Sequence, residues 1–327
     1  MIGSVMSASF NCEENHLPSK SSFTSLATSL VENFAKNRPI HANSLILTIY
    51  GDTVRAYGDS IWLGSLIKLV EPLGINQRLV RTSVFRLSEK SVLQSKQQGR
   101  RSYYSLTHRA VRQFASASKR IYAAKPLEWD GQWRLVMTSL GDISPEQRET
   151  VRKELHWLGF NRITTGVYGH PSIDLDEVKK LVRDMGLDNK VVILKASAMD
   201  AKHLPVSNRL LSQCIDLEPS NEKYAELIKD FQGILKAAKQ ETDLDPALCF
   251  LVKTLLINRF RIILLKEAEL PDELLAKNAI SRRARALVSE LYQIIQAPAD
   301  QYFIDISETE GGAFTQASDD YYSRFSD

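Results

Sequence analysis

Between Gly74 and Leu106 the chain reads GINQRLVRTSVFRLSEKSVLQSKQQGRRSYYSL, and few folds accommodate such a stretch. Asn76 is a good N-cap, and the next dozen residues contain neither glycine nor proline, which predicts a helix to about Lys90. At 100° per residue Leu79, Val80, Ser83, Val84 and Leu87 share one arc, while Arg78, Arg81, Thr82, Phe85, Arg86 and Glu89 share the other. Two short extended runs follow, Val92–Lys96 and Arg101–Leu106, around a turn in which Gly99 supplies a positive φ. A helix with a basic outer face running into a hairpin with a basic tip has the layout of a winged helix-turn-helix, which sets one helix into a DNA groove.

The flanking chain fits that layout. Asn43–Tyr50, ended by Gly51 as a C-terminal cap, and Ile61–Val70 read as two preceding helices, with Pro72 and Gly74 forcing the turn between the second and the reading helix. Thr107 to about Tyr122 reads as a helix packed behind the hairpin. Charge is distributed accordingly. Residues 1–125 hold 17 Lys+Arg against 7 Asp+Glu, whereas the remainder holds 25 against 32. A basic segment on an acidic body points to one dedicated polyanion-binding face. Arginine can bond guanine O6 and N7 in pairs and threonine can meet a thymine methyl, so Gln77, Arg78, Arg81, Thr82, Phe85 and Arg86 are the expected base-reading residues. Lys96, Arg100 and Arg101 at the hairpin tip are the expected phosphate or minor-groove contacts.

The fold class expected is α+β in several parts, as 327 residues exceed what one core usually covers. Residues 1–38, rich in Ser and Asn, read as a disordered extension with one weak helix near Leu26–Ala35, and residues 39–122 as the winged helix. Residues 126–203 alternate as strand (from Trp133), helix (from the Ser144-Pro145-Glu146-Gln147 start), two short strands kinked at Gly166, helix (from Asp174) and strand (Lys190–Ala198). That order predicts a ferredoxin-like sandwich. Residues 206–300 read as helices, from Ser220, Asp245-Pro246, Leu270-Pro271 and Ser281, the last stopped by Pro298. Residues 301–327 read as a flexible tail.

Catalytic chemistry is poorly represented. Cys12, Cys214 and Cys249 have no framework spacing, which suggests free thiols in a reducing compartment. No nucleotide-binding, nucleophile-elbow or CxxC pattern occurs. The apolar run Leu248–Leu265 is broken by Lys253, Arg259 and Arg261, too polar for a membrane span, and no signal peptide is visible. A cytoplasmic, nucleoid-associated protein with no metal, no cofactor and no enzymatic role is the expectation. The alternative is a metal-dependent nuclease built on Asp142, a carboxylate after the first sandwich strand; a single acid does not make a two-metal site.

Several runs carry a family resemblance: Ala42-Asn43-Ser44-Leu45-Ile46, Trp62-Leu63-Gly64-Ser65-Leu66-Ile67, Val80 through Leu87 (VRTSVFRL), Gly99 through Tyr104 (GRRSYY) and Trp129-Asp130-Gly131-Gln132-Trp133. In this order they resemble the PaaX-type repressors of phenylacetic acid degradation. The resemblance spans about residues 40–300. It implies a winged helix, a middle domain like a small CRISPR-associated nuclease subunit, and a helical C-terminal domain. It also implies repression of aromatic-acid catabolic genes, relieved by phenylacetyl-CoA or a related aryl-CoA. Asn258-Arg259-Phe260 and Asn278-Ala279-Ile280 depart from the family pattern, which often has His-Asp-Tyr and Trp-Pro-Gly there. A CoA effector needs cations for its phosphates, and Arg259, Arg261 and Lys266 are the candidates. One winged helix reads few bases, so a homodimer on a palindromic double-stranded operator is expected.

Overall fold

In the computed structural model, residues 22–326 are described except 38, 59, 124–128, 139–140, 198–217, 267–273, 275–278 and 315. The first element, α1 (Phe23–Lys36), covers the weak helix expected near Leu26–Ala35 and is longer and more firmly anchored than the surrounding polar sequence implies. Ser22 caps it by accepting from the Ser25 amide at 3.2 Å, and Phe23, Ala27 and Val31 are buried. The Phe23 amide donates to the Glu241 carboxylate at 2.7 Å, so the helix is fixed by a residue 218 positions away. Nothing in the polar local composition announces such a partner.

The winged helix follows as α2 (Ala42–Asp52), β1 (Ser60–Trp62), α3 (Leu63–Val70), α4 (Gln77–Glu89), β2 (Leu93–Gln98), β3 (Arg101–Leu106) and α5 (His108–Ile121). Two details differ from the sequence reading. Helix α2 runs through Gly51 instead of ending there, and a Cβ at that position would come within 2.7 Å of the Phe114 ring on α5. The glycine serves close helix approach, not a left-handed cap. Ser60–Trp62 is a strand, not the first turn of a helix, because it pairs antiparallel with β3, Trp62 opposite Tyr103. The resulting sheet has the order β1-β3-β2.

The middle unit is β4 (Trp133–Met137), α6 (Pro145–Trp157), β5 (Asn161–Thr164), β6 (Val167–His170), α7 (Leu175–Asp184) and β7 (Val192–Ala196). The sheet order β5-β6-β4-β7, with every neighbouring pair antiparallel, is the ferredoxin-like arrangement. Ser144 and Gln147 form the full capping box that starts α6. The unit has its own core, in which Val136, Val151, Leu155, Phe160 and Val178 are buried. His170 is buried and its Nδ1 accepts from the Ser172 and Ile173 amides; burial first, then Arg120 and Arg134 nearby, push it down to about 3.

The last helices are α8 (Glu218–Ala238), α9 (Pro246–Leu264) and α10 (Ile280–Ile306), then a two-stranded hairpin, β8 (Glu308–Thr309) and β9 (Gly312–Ala313), and a short helix α11 (Asp319–Tyr322). Pro298 sits inside α10 and does not stop it. Ala299, Asp300 and Phe303 beyond the proline are buried, so tertiary packing offsets the backbone bond that the proline removes. The flexible tail expected at 301–327 is likewise corrected: Phe314, Ala317, Tyr321 and Phe325 are buried. The expected helix at Leu270-Pro271 and the expected domain limits at 126, 203 and 206 lie outside the described residues.

The winged helix and the C-terminal helices do not have separate cores. Leu45 and Ile49 of α2, Val80 and Val84 of α4, Phe250 and Leu256 of α9, and Leu291 and Ile295 of α10 belong to one continuous cluster. At its centre lies a charged network. Asp52 Oδ1 accepts from the Tyr122 hydroxyl at 2.6 Å, the Tyr292 hydroxyl at 3.0 Å and the Arg324 guanidinium at 3.1 Å. Lys253 Nζ lies 3.5 Å from Asp52 Oδ2 and donates to Asp300 Oδ1 at 3.0 Å. Tyr321 hydrogen-bonds both Lys253 and Asp300. Lys253 is 0% exposed and Asp52 2%. Burial pushes the Asp52 carboxyl up, but Lys253 and Arg324, with the two tyrosine hydroxyls, hold it below the usual carboxylate range. Two acids and two bases make the cluster formally neutral, which is what allows it inside an apolar core.

Candidate nucleic-acid interface

Helix α4 is built as an amphipathic reading element. Asn76 accepts from the Leu79 amide at 2.9 Å, and Val80, Ser83, Val84 and Leu87 are buried beneath it. The turn before it is fixed by Gly74 in the left-handed region, and α1 packs against that turn from behind. The outer face carries Gln77, Arg78, Arg81, Thr82, Phe85 and Arg86, all exposed, with Phe85 63% exposed. Gln77, with its amide oxygen turned toward Arg81, accepts from that guanidinium at 2.9 Å. The Thr82 hydroxyl is bonded back to the Arg78 carbonyl at 3.0 Å.

The wing is a hairpin in which Gln98 pairs with Arg101 around Gly99-Arg100. Gly99 has φ 60 at the first central position, as a type II′ turn requires. Strand β2 therefore runs two residues past Lys96, to Gln98, and begins one residue later than the expected run. Lys96, Arg100 and Arg101 are exposed near the tip. The Arg101 guanidinium also stacks over the Trp62 ring, 4.6 Å from its centre.

Two of these cations already have anionic partners. Lys96 Nζ lies 2.6 Å from Glu310, and Arg101 is paired with Glu308. Both carboxylates come from the β8–β9 hairpin, which lies against β1 and is tied to α3 where the Glu308 amide donates to Ser65 Oγ at 3.1 Å. Neither acid stands out in the sequence, because the polar, glycine-containing stretch from Ser307 onward reads as a loose tail.

Comparison with known proteins covers nearly the whole of this architecture. Residues 41–110 match the family described as PaaX-like protein, residues 126–206 the PaaX protein central Cas2-like domain, and residues 215–305 the PaaX-like protein C-terminal domain. The transcriptional repressor PaaX of Escherichia coli (strain K12) is 32% identical over 288 residues, covering 88% of this chain and 90% of its own length. The chain belongs to the PaaX-like family. Among solved structures, an uncharacterized Mycobacterium tuberculosis protein overlays with a TM-score of 0.49 at 20% identity, over 79% of this chain and 98% of its own.

Within this PaaX-like chain the cations expected for an effector do not converge. Arg261 is largely buried and turned toward α2, donating to Thr48 Oγ1 at 2.7 Å and to Ser44 O and Oγ. Arg259 is turned toward α8, paired with Asp230 and lying over the Phe231 ring. Lys266 stands exposed just past the end of α9. Three cations with three different surroundings do not outline one phosphate pocket. Arg285, also on a C-terminal helix, donates to the Arg120, Ile121 and Ala123 carbonyls at the end of α5, where a cation complements the helix terminus. Asp142 is exposed in the segment before the Ser144 cap, and no group of three metal-ligating side chains occurs among the described residues. No described helix is long and apolar enough to cross a membrane.

Proposed function

We propose that this chain is a DNA-binding transcriptional repressor of phenylacetate catabolic genes. It acts in the cytoplasm as a homodimer on a palindromic operator and is released by phenylacetyl-CoA or a related aryl-CoA. It carries out no catalytic step. The observation that supports DNA binding most directly is the exposed face of α4, where three arginines, a threonine and a phenylalanine project from a helix whose other side is fixed in the core. Family membership, and the role of the Escherichia coli relative as a transcriptional repressor, support the regulatory role and the pathway.

The test separates reading from anchoring. On a duplex selected by the protein from a random pool, Arg81→Ala loses about 1–3 kcal/mol and flattens sequence preference. Arg100→Ala weakens all sequences alike and lowers the salt slope by about one. Equal, unselective losses for both variants would contradict base reading by α4. Release is tested by titrating phenylacetyl-CoA into the preformed complex while fluorescence anisotropy reports bound DNA. The complex dissociates if the ligand favours the conformation that cannot span both half-sites. An unchanged signal at saturating ligand removes this effector.

A further inference from the structure

Glu308 and Glu310 are carboxylates, which phosphates repel, yet the fold places both against the element expected to grip the DNA backbone. The wing offers Lys96, Arg100 and Arg101, a formal charge of three. Glu310 sits 2.6 Å from Lys96, and Glu308 pairs with Arg101, which also lies on Trp62. Only Arg100, at the turn, has no ionic partner among the described residues. The wing therefore meets solvent with a net charge near one. By contrast Arg78, Arg81 and Arg86 on α4 have no carboxylate partner among the described residues.

These acids are not on a wandering tail. Ser307 before them is buried, the Glu308 amide is bonded to Ser65 on α3, and Phe314 after them packs against Tyr57 and Phe303. The carboxylates are consequently held beside the wing whether or not a polyanion is present. Exposed ion pairs are individually weak, so a well-placed phosphate can displace them. A displaced carboxylate still stands beside the incoming phosphate and repels it. Each acid thus cancels part of the counterion release that a bare cation would give.

We propose that Glu308 and Glu310 restrain sequence-independent binding by neutralising the wing, leaving α4 as the charged surface that meets DNA. This rests on the DNA-binding reading above and adds to it a determinant of specificity, because non-specific affinity comes almost entirely from phosphate contacts whereas base reading does not. The two acids act as positioning and screening residues and touch no base.

The experiment compares the full-length protein with Glu308→Gln/Glu310→Gln, which keeps side-chain shape and hydrogen bonding. The probes are a 30-base-pair duplex without a palindrome, followed by anisotropy over a salt series, and a heparin column. The slope of log K against log salt is expected to steepen by up to about two, since two further phosphates are neutralised, and affinity at low salt to rise about tenfold. Elution from heparin shifts to higher salt. An unchanged slope on DNA together with unchanged elution overturns the proposal. Should neither protein hold duplex at low salt, the DNA-binding reading fails, and the heparin shift still decides whether the acids mask the wing. Glu310→Gln alone, at the turn of the hairpin, gives half the effect and guards against misfolding of the double variant, which circular dichroism would reveal.

Discussion

Replacing Lys253 with methionine is expected to destabilise the protein by about 3–5 kcal/mol, a large fraction of the total stability of a typical domain. The side chain is 0% exposed and its ammonium is shared between Asp52 and Asp300. Without it Asp52 keeps Arg324, but Asp300 is left as a buried carboxylate with only the Tyr321 hydroxyl to answer it among the described residues. An uncompensated buried charge is costlier than the pair was beneficial. Lys253→Met/Asp300→Leu should therefore recover at least half of the loss, because the remaining Asp52–Arg324 pair is neutral. Urea unfolding followed by far-ultraviolet circular dichroism measures both, since the helices report mainly on the shared core. A loss below about 1 kcal/mol for the single variant would show that the network does not carry the charge balance assigned to it.

Ending the chain at Ala317 should be at least as damaging. Tyr321 and Phe325 are 1% and 6% exposed, and burying a large apolar or aromatic side chain is worth about 1.5–3 kcal/mol each. Arg324 leaves with them, although its guanidinium bonds the Asp52 side chain and backbone and lies 4.0 Å from the centre of the Tyr122 ring. The expected loss is about 5 kcal/mol or more, enough to abolish a cooperative transition near physiological temperature. A mobile terminus would be dispensable, so an unchanged urea midpoint for the shortened chain would sink this account. Because the hairpin precedes the cut, the loss is separable from the effect of Glu308 and Glu310 on the wing.

Both predictions concern residues to which the linear sequence gave no weight. Lys253 reads there as a flaw in an apolar run, and Arg324 as one more charge in a polar end. Their meaning depends on Asp52, 201 and 272 residues away respectively, and no local pattern encodes a contact over that distance. The same holds for Arg261, whose three bonds all go to α2, and for α1, anchored by Glu241.

Local signals, in contrast, specified the elements that face solvent on one side. Helix α4 was legible because its buried Val80, Val84 and Leu87 recur at helical spacing while its arginines occupy the complementary arc. The wing was legible from Gly99 and the extended runs beside it, and the middle sandwich from its alternation of caps and strands. The sequence alone thus determined which helix carries the basic face and what order the small sheet's elements take, because periodicity and capping act within a few residues. Only the tertiary structure decided that the winged helix and the C-terminal helices share one core, that four buried charges balance at its centre, and that Glu308 and Glu310 lie on the wing. Those outcomes depend on burial and Coulomb energy between distant segments, which are set when the helices pack and have no counterpart in any short stretch of chain.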